Sequence, residues 1–168
     1  MKHICATLLL FCSMETVEQD FIQSIKECAI KWNVMVMEPD RIPIDLVLAQ
    51  SIIESNWGKS RFAKKANNFF GVKAVGGEEY ILSKNGKKVK SYHTKCDSVN
   101  DYMDLLSFGE PYEEFKEELL RQWTVDRMDI YAMIEYLDNY AEDKKYKIKL
   151  KKIIKQLERM NYGSAVNN

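Results

Sequence analysis

Residues 46–71 read LVLAQSIIESNWGKSRFAKKANNFFG, and most of the architecture turns on them. At helical spacing Val47, Leu48, Ala49 and Ile52 supply a buried face. Pro43 suits the first turn of a helix over about residues 44–56, and Gly58 is its stop. Glu54 falls in the last turn, just before Trp57 and Gly58. A carboxylate there faces the negative end of the helix dipole. The indole and other apolar neighbours desolvate it, so both effects raise its pKa. A carboxyl still protonated near neutral pH is what a general acid requires. The plain alternative is a solvated surface charge, and position alone favours that one.

Working outward, residues 17–32 place Phe21, Ile25, Cys28, Ala29 and Trp32 on one helical face. Residues 60–66 add a turn or two. The pattern changes over residues 76–94, where Tyr80, Ile81 and Leu82 precede Lys84-Asn85-Gly86-Lys87, and Val89, Tyr92 and Thr94 follow. Asn-Gly between two such runs is a strong hairpin signal. Helices then return at about 99–108, 111–122, 127–140 and 143–160, with Asp97 and Asp126 as candidate caps. The expected fold is mainly α with a small β-hairpin lobe, an α+β arrangement. One domain is expected over residues 15–162, with the β-lobe at about 76–94, and a frayed tail over 163–168.

Composition narrows the classes of function. The 168 residues are 46% hydrophobic with only 7 Gly and 3 Pro, enough for a core and too ordered in character for a linker. Lys plus Arg and Asp plus Glu are both 25, a balance that argues against a nucleic-acid partner. No apolar run reaches the roughly 20 residues of a spanning helix, so no stable membrane insertion is expected. Cys5, Cys12, Cys28 and Cys96 form no CxxC pair and the only histidines are His3 and His93, so neither metal nor other cofactor is expected. One bridge, such as Cys28 to Cys96, is compatible with the sequence. Residues 1–14 join Lys2 and His3 to an apolar run, the outline of an export signal without a good cleavage end. An apolar first turn of a buried helix accounts for them equally well.

Two charge clusters flank the last helices. Glu110, Glu113, Glu114, Glu117 and Glu118 form an acidic patch, and eight basic residues lie between Lys144 and Arg159. Both are read as solvated helix faces. Contact of the basic helix with an anionic polymer is the less favoured alternative.

The segment Ala49-Gln50-Ser51-Ile52-Ile53-Glu54-Ser55-Asn56-Trp57-Gly58, continued by Ser60-Arg61-Phe62-Ala63 and by Asn67-Asn68-Phe69-Phe70-Gly71, resembles the glucosaminidases of glycoside hydrolase family 73. The SRFA continuation looks most like the Bax-type branch. Downstream, Tyr140-Ala141-Glu142-Asp143-Lys144-Lys145-Tyr146 resembles the family's YATDPxY segment, and Ser98-Val99-Asn100-Asp101-Tyr102 resembles its helix after the hairpin. The resemblance covers about residues 44–157. It implies a lysozyme-like domain with a cleft between helical and β-lobes. It also implies hydrolysis of the β-1,4 bond after N-acetylglucosamine in peptidoglycan glycan strands, by a bacterial autolysin or a phage lysin acting on the cell wall. A monomer is expected.

Carried over residue by residue, the resemblance puts Glu54 on the general acid and Tyr140 on the active-site tyrosine, with Tyr146 as second choice. It puts Asn68, Phe69 and Gly71 on the turn into the β-lobe. The resemblance puts the second carboxylate at Glu79 in preference to Glu78, since Glu78-Glu79-Tyr80 matches the family's Glu followed by Tyr near the hairpin start; adjacent strand residues face opposite ways, so only one of the two can face the cleft. Trp57, Phe70, Tyr80, Tyr92 and Tyr146 are further candidates for contact with sugar rings, and Asn68 for an acetamido group; each has an ordinary structural role as its alternative. A lytic transglycosylase on the same polymer and a non-catalytic wall-binding module are the competing functions.

Overall fold

The computed structural model describes residues 4–141 and 143–160, with side chains from Val17 onward. The signal-like reading of residues 1–14 concerns side chains outside that range, and the tail 163–168 lies outside it as well. The chain folds as helix α1 (Ile4–Met35), α2 (Ile44–Ser55), α3 (Arg61–Ala66), strands β1 (Tyr80–Leu82) and β2 (Lys88–Lys90), then α4 (Lys95–Phe108), α5 (Glu113–Thr124), α6 (Ile130–Met133) and α7 (Tyr146–Arg159). Single 3-10 turns at Glu38–Asp40, Glu110–Tyr112 and Ile134–Tyr136 join them.

Helix α2 is the axis of the molecule. Residues Leu46 through Ile52 are all buried, so its surface is covered on every side rather than along one stripe. Helices α1 and α7 both pack on it, and α4 packs on α1. On α7, Tyr146, Leu150, Ile154 and Leu157 form one buried face at spacings of three and four. Two serines of α2 sit in this dry interior at little cost. Ser51 donates to the Leu48 carbonyl at 2.7 Å and Ser55 to the Ser51 carbonyl at 2.6 Å. Cys28 and Cys96 are joined by a disulfide, Cα to Cα 5.1 Å, which ties α1 to the start of α4.

The chain leaves α2 through three successive left-handed residues, Asn56 (φ 49°), Trp57 (φ 58°) and Gly58 (φ 72°). Gly58 is required twice over. Its φ disfavours any side chain, and a Cβ there would lie 2.8 Å from the Phe21 ring. The Gly58 N–H donates to Ser55 Oγ at 2.7 Å, and the Ser60 N–H to the Ser55 carbonyl at 2.8 Å. Ser60 then caps α3 by accepting from the Ala63 N–H.

The β-lobe hangs from the helical body by two asparagines. Asn67 donates to the Tyr92 and His93 carbonyls, both at 3.0 Å. Buried Asn68 donates to the Val72 and Lys90 carbonyls, both at 2.9 Å, and its Oδ1 accepts from the N–H groups of Phe70, Gly71 and Val72. Strands β1 and β2 pair antiparallel with Tyr80 opposite Lys90. Residue Lys73 bridges to Val89 on the other side of β2.

Several boundaries depart from the sequence reading. The cap of α4 is Thr94; Asp97 is the third residue inside, and the two form a reciprocal capping box. Asp129, not Asp126, caps α6, and Asp126 instead takes a left-handed φ of 50°. The single helix expected over 127–140 breaks into one α turn and one 3-10 turn. The chain leaves helical form after Tyr136, and Tyr140 then reaches back to the Phe70 carbonyl. In the acidic patch, Glu118 is buried rather than solvated, and it accepts from Arg121 at 2.6 and 2.7 Å and from Gln122 at 2.7 Å. On the basic helix, Lys147, Lys149 and Lys151 pair with Asp138, Asp143 and Glu135.

Candidate active site

Glu54 occupies the C-terminal turn of α2, half-buried in the wall of an open cleft of about 600 Å³. Ile53 and Glu54 form one side. Tyr140, Ala141, Tyr146 and Lys149 form the other, and Lys73 and Lys87 reach in from the β-lobe. The arrangement follows from the local sequence. The left-handed turn after Ser55 ends α2 at the cleft edge, and Gly71, with φ 71°, carries the chain past the carboxyl. A Cβ at Gly71 would lie 3.6 Å from Glu54 Oε2, so a longer side chain would crowd the acid.

Burial raises the Glu54 pKa; a hydrogen bond from Tyr146 and the charge of Lys149 pull against this, and burial prevails. The Tyr146 hydroxyl is itself pushed well up, first by burial and then by the Glu54 charge. The groups that act on Glu54 are thus a phenol and an ammonium, and Asp138 and Asp143 line the same cleft. The Tyr140 hydroxyl donates to the Phe70 carbonyl at 3.0 Å, and burial holds this phenol far above its ordinary range. Its ring stacks on Tyr146 with centroids 5.4 Å apart and meets Tyr102 edge-on at 6.1 Å. Tyr140 therefore joins α7 to the turn at Phe70 and Gly71, and it lines the cleft while doing so.

The structure brings Glu54, Tyr140 and Tyr146 together and places the other sequence candidates elsewhere. Phe70 is buried, stacked on Tyr102 at 3.9 Å. Asn68 spends its amide on the turn described above. Tyr92 is buried and donates to Asp101 at 2.6 Å. Trp57 is half-buried in the turn after α2. Tyr80 is exposed on β1 with the Lys88 ammonium 4.6 Å from its ring centre. Glu78 and Glu79 lie just before β1, outside the residues that line the cleft. The Lys90 ammonium, 2.5 Å away, and the Val75 N–H hold the Glu78 carboxyl below the usual carboxylate range. Glu79 is exposed, and its backbone carbonyl accepts from the Ser91 N–H at 2.8 Å.

Sequence reasoning missed Gln50 and Tyr102, both fully buried, which hydrogen-bond to one another behind Tyr146. A signal was present. Gln50 stands four residues before Glu54, on the same helix face, inside an otherwise apolar run. Lys73, Lys87 and Lys149 were missed because single lysines carry no pattern. Among the described residues no group of three or more His, Cys, Asp or Glu side chains is placed to hold a metal. No helix among them is long and apolar enough to cross a membrane.

A helical body, a hairpin lobe and a half-buried glutamic acid in the cleft between them define a lysozyme-like glycoside hydrolase domain. Residues 34–159 match the glucosaminidase family model, described as mannosyl-glycoprotein endo-beta-N-acetylglucosaminidase. The chain belongs to this family, glycoside hydrolase family 73. Protein bax of Escherichia coli (strain K12) is 28% identical over 113 residues, covering 67% of this chain and 41% of that protein. Exo-glucosaminidase LytG of Bacillus subtilis (strain 168) is 26% identical over 164 residues, covering 91% of this chain and 57% of that protein. The chain thus spans about half the length of these relatives. The glycoside hydrolase domain of Salmonella typhimurium FlgJ superposes with a TM-score of 0.61 at 25% identity, over 86% of this chain and 90% of that one.

Proposed function

We propose that this chain hydrolyses the β-1,4 bond between N-acetylglucosamine and N-acetylmuramic acid in peptidoglycan, with Glu54 as general acid. The observation that carries this is the half-buried Glu54 carboxyl in the wall of a cleft it shares with Tyr140 and Tyr146. Burial keeps the carboxyl protonated further up the pH scale than an exposed one, so it has a proton to give to the departing glycosidic oxygen. The names of relatives point the same way. LytG is an exo-glucosaminidase and FlgJ of Salmonella typhimurium (strain LT2) a peptidoglycan hydrolase.

Charge at the anomeric carbon must also be met. Among the described residues Asp138 and Asp143 share the cleft with Glu54, while Glu79 stands outside its lining, the arrangement of a more distant base acting on water. Glu79 is assigned that role. Glu78 is committed to Lys90, whereas no ion pair of Glu79 occurs among the described residues, and its backbone is pinned by Ser91. Tyr140 lines the cleft and fixes the turn at Phe70.

The domain over residues 15–162 works as a monomer at the cell wall, outside the cytoplasm. The Cys28–Cys96 bridge supports that setting, since disulfides persist in oxidising compartments. A turbidity assay on cell-wall suspensions, paired with a pull-down on the same walls, tests the assignment. Glu54→Gln is expected to stop clearing while binding persists. Unchanged clearing would remove Glu54 from the mechanism, and clearing absent from the parent as well would favour a binding module.

A further inference from the structure

A chain of buried hydroxyl and amide groups runs from the interior to the cleft. Tyr102 donates to Gln50 Oε1. Gln50 Nε2 donates to the Tyr146 hydroxyl oxygen at 3.0 Å. Tyr146 in turn lines the same cleft as Glu54, where its hydroxyl favours the Glu54 anion. Tyr102 and Gln50 are 0% exposed and Tyr146 is 4% exposed, so water does not compete for the two bonds that Gln50 makes. Three helices contribute to one relay: Gln50 and Glu54 from α2, Tyr102 from α4 and Tyr146 from α7, with the Tyr140 ring packed against Tyr146.

The direction of the relay follows from counting donors. A carboxamide has one accepting and one donating end, while a phenol has one proton. With Gln50 as observed, Tyr102 gives its proton to the amide oxygen and Tyr146 accepts from the amide nitrogen, which leaves the Tyr146 proton free to turn toward the cleft it shares with Glu54. Turning the amide over would set Gln50 Oε1 against Tyr146 and draw its proton away from Glu54. It would also leave the Tyr102 proton unmatched in a dry interior, and an unmatched buried donor is costly. The Tyr102 hydroxyl thus holds the amide in one sense, and the amide holds the Tyr146 proton in one sense.

We propose that Gln50, oriented by Tyr102, is a positioning residue that turns the Tyr146 hydroxyl proton toward Glu54. Donation to one carboxyl oxygen leaves the acid proton on the other. It then stabilises the carboxylate left behind when that proton goes to the leaving oxygen. This rests on the reading of Glu54 as the acid.

Other charged groups face the same pair. Lys149 acts on Glu54 from α7, and Lys73 and Lys87 line the cleft from the β-lobe. Asp138 and Asp143 line it from the chain before α7, with Tyr112 beside Tyr146. None of these is altered by the variants that follow, so their contribution stays constant.

The experiment is a pH–rate profile of the full chain and its variants on soluble glycan strands, with melting curves alongside. Tyr146→Phe removes a bond that favours the Glu54 anion, so the alkaline limb of activity is expected to move to higher pH. A fall in kcat of roughly tenfold to a hundredfold is expected with it, the usual size for a hydrogen bond to a charged group. Gln50→Met and Tyr102→Phe, which keep the core filled, are expected to move the limb the same way by less. The double variant Gln50→Met, Tyr146→Phe is expected to match Tyr146→Phe alone, because Gln50 acts only through the hydroxyl that is gone. A limb that stays put in both Gln50→Met and Tyr102→Phe while Tm falls would show a merely structural role and overturn the proposal. So would a double variant whose shift is the sum of the singles. Carboxyl NMR titration of Glu54 in the same proteins reads the coupling without activity. It therefore separates failure of the relay from failure of Glu54 as the acid, which Glu54→Gln reports.

Discussion

Glu54 shows how one residue trades stability for chemistry. Its folded-state pKa lies above that of the unfolded chain because burial disfavours the anion. The protonated form therefore contributes stability at acid pH, and that contribution is lost as the pH rises through the raised value. Glu54→Gln removes the charge and keeps the shape. Near neutral pH it is expected to raise Tm by about 2 °C or more, while activity falls at least about a hundredfold. Calorimetry and the clearing assay check the two halves; a lowered Tm would mean that the carboxylate itself holds the cleft together. The same shift fixes the pH dependence. In the role proposed for Glu54 activity needs its protonated form, so the rate should fall as the pH passes upward through the Glu54 pKa, above the range of an exposed glutamate. At this scale the sequence was informative about Glu54, whose place at a helix end beside Trp57 already predicts a raised pKa. It was silent about the partners, because Tyr146 and Lys149 reach Glu54 only once α7 is laid against α2.

Elements place that residue through local rules, some readable in advance. The Asn85-Gly86 hairpin, the stop at Gly58 and the Ser60 turn all stand where residue chemistry put them. The breakup of the helix expected over 127–140 was not readable, because Tyr140 leaves helical geometry to make a tertiary bond to Phe70. Nor was the burial of Glu118, which depends on Arg121 and Gln122 folding over it. Two predictions belong here. Gly58→Ala must fit a Cβ 2.8 Å from the Phe21 ring at a φ of 72°, and should cost about 1–3 kcal/mol in urea unfolding. A neutral result would mean that the Phe21 ring moves freely aside. Reduction of the Cys28–Cys96 bridge, whose sequence separation is 68, removes a constraint worth about 4 kcal/mol on the unfolded chain. Tm should fall by about 10 °C in reductant, and Cys28→Ala with Cys96→Ala should show the same fall without it.

Across the whole molecule, the helical body holds the proposed acid and the hairpin lobe the proposed base. The lobe is joined to the body by Asn67, Asn68 and the Lys90–Asp101 pair at 3.1 Å. Glu79→Gln therefore alters only the lobe's side of the chemistry, and is expected to lower the rate about a hundredfold with Tm unchanged. An undiminished rate would hand the role to the substrate's own 2-acetamido group. The two-lobed architecture was legible from the hairpin signal set among helical periods. The separation of the two carboxylates was not, since it depends on how the lobe is hung rather than on any residue pattern. What the account claims above all is that Glu54 delivers a proton to the oxygen between N-acetylglucosamine and N-acetylmuramic acid. Mass spectrometry of muropeptides after digestion by the parent and by Glu54→Gln measures this most directly. The parent should leave reducing N-acetylglucosamine ends and the variant none; anhydro-muramyl ends from the parent, or the same products from both proteins, would contradict it.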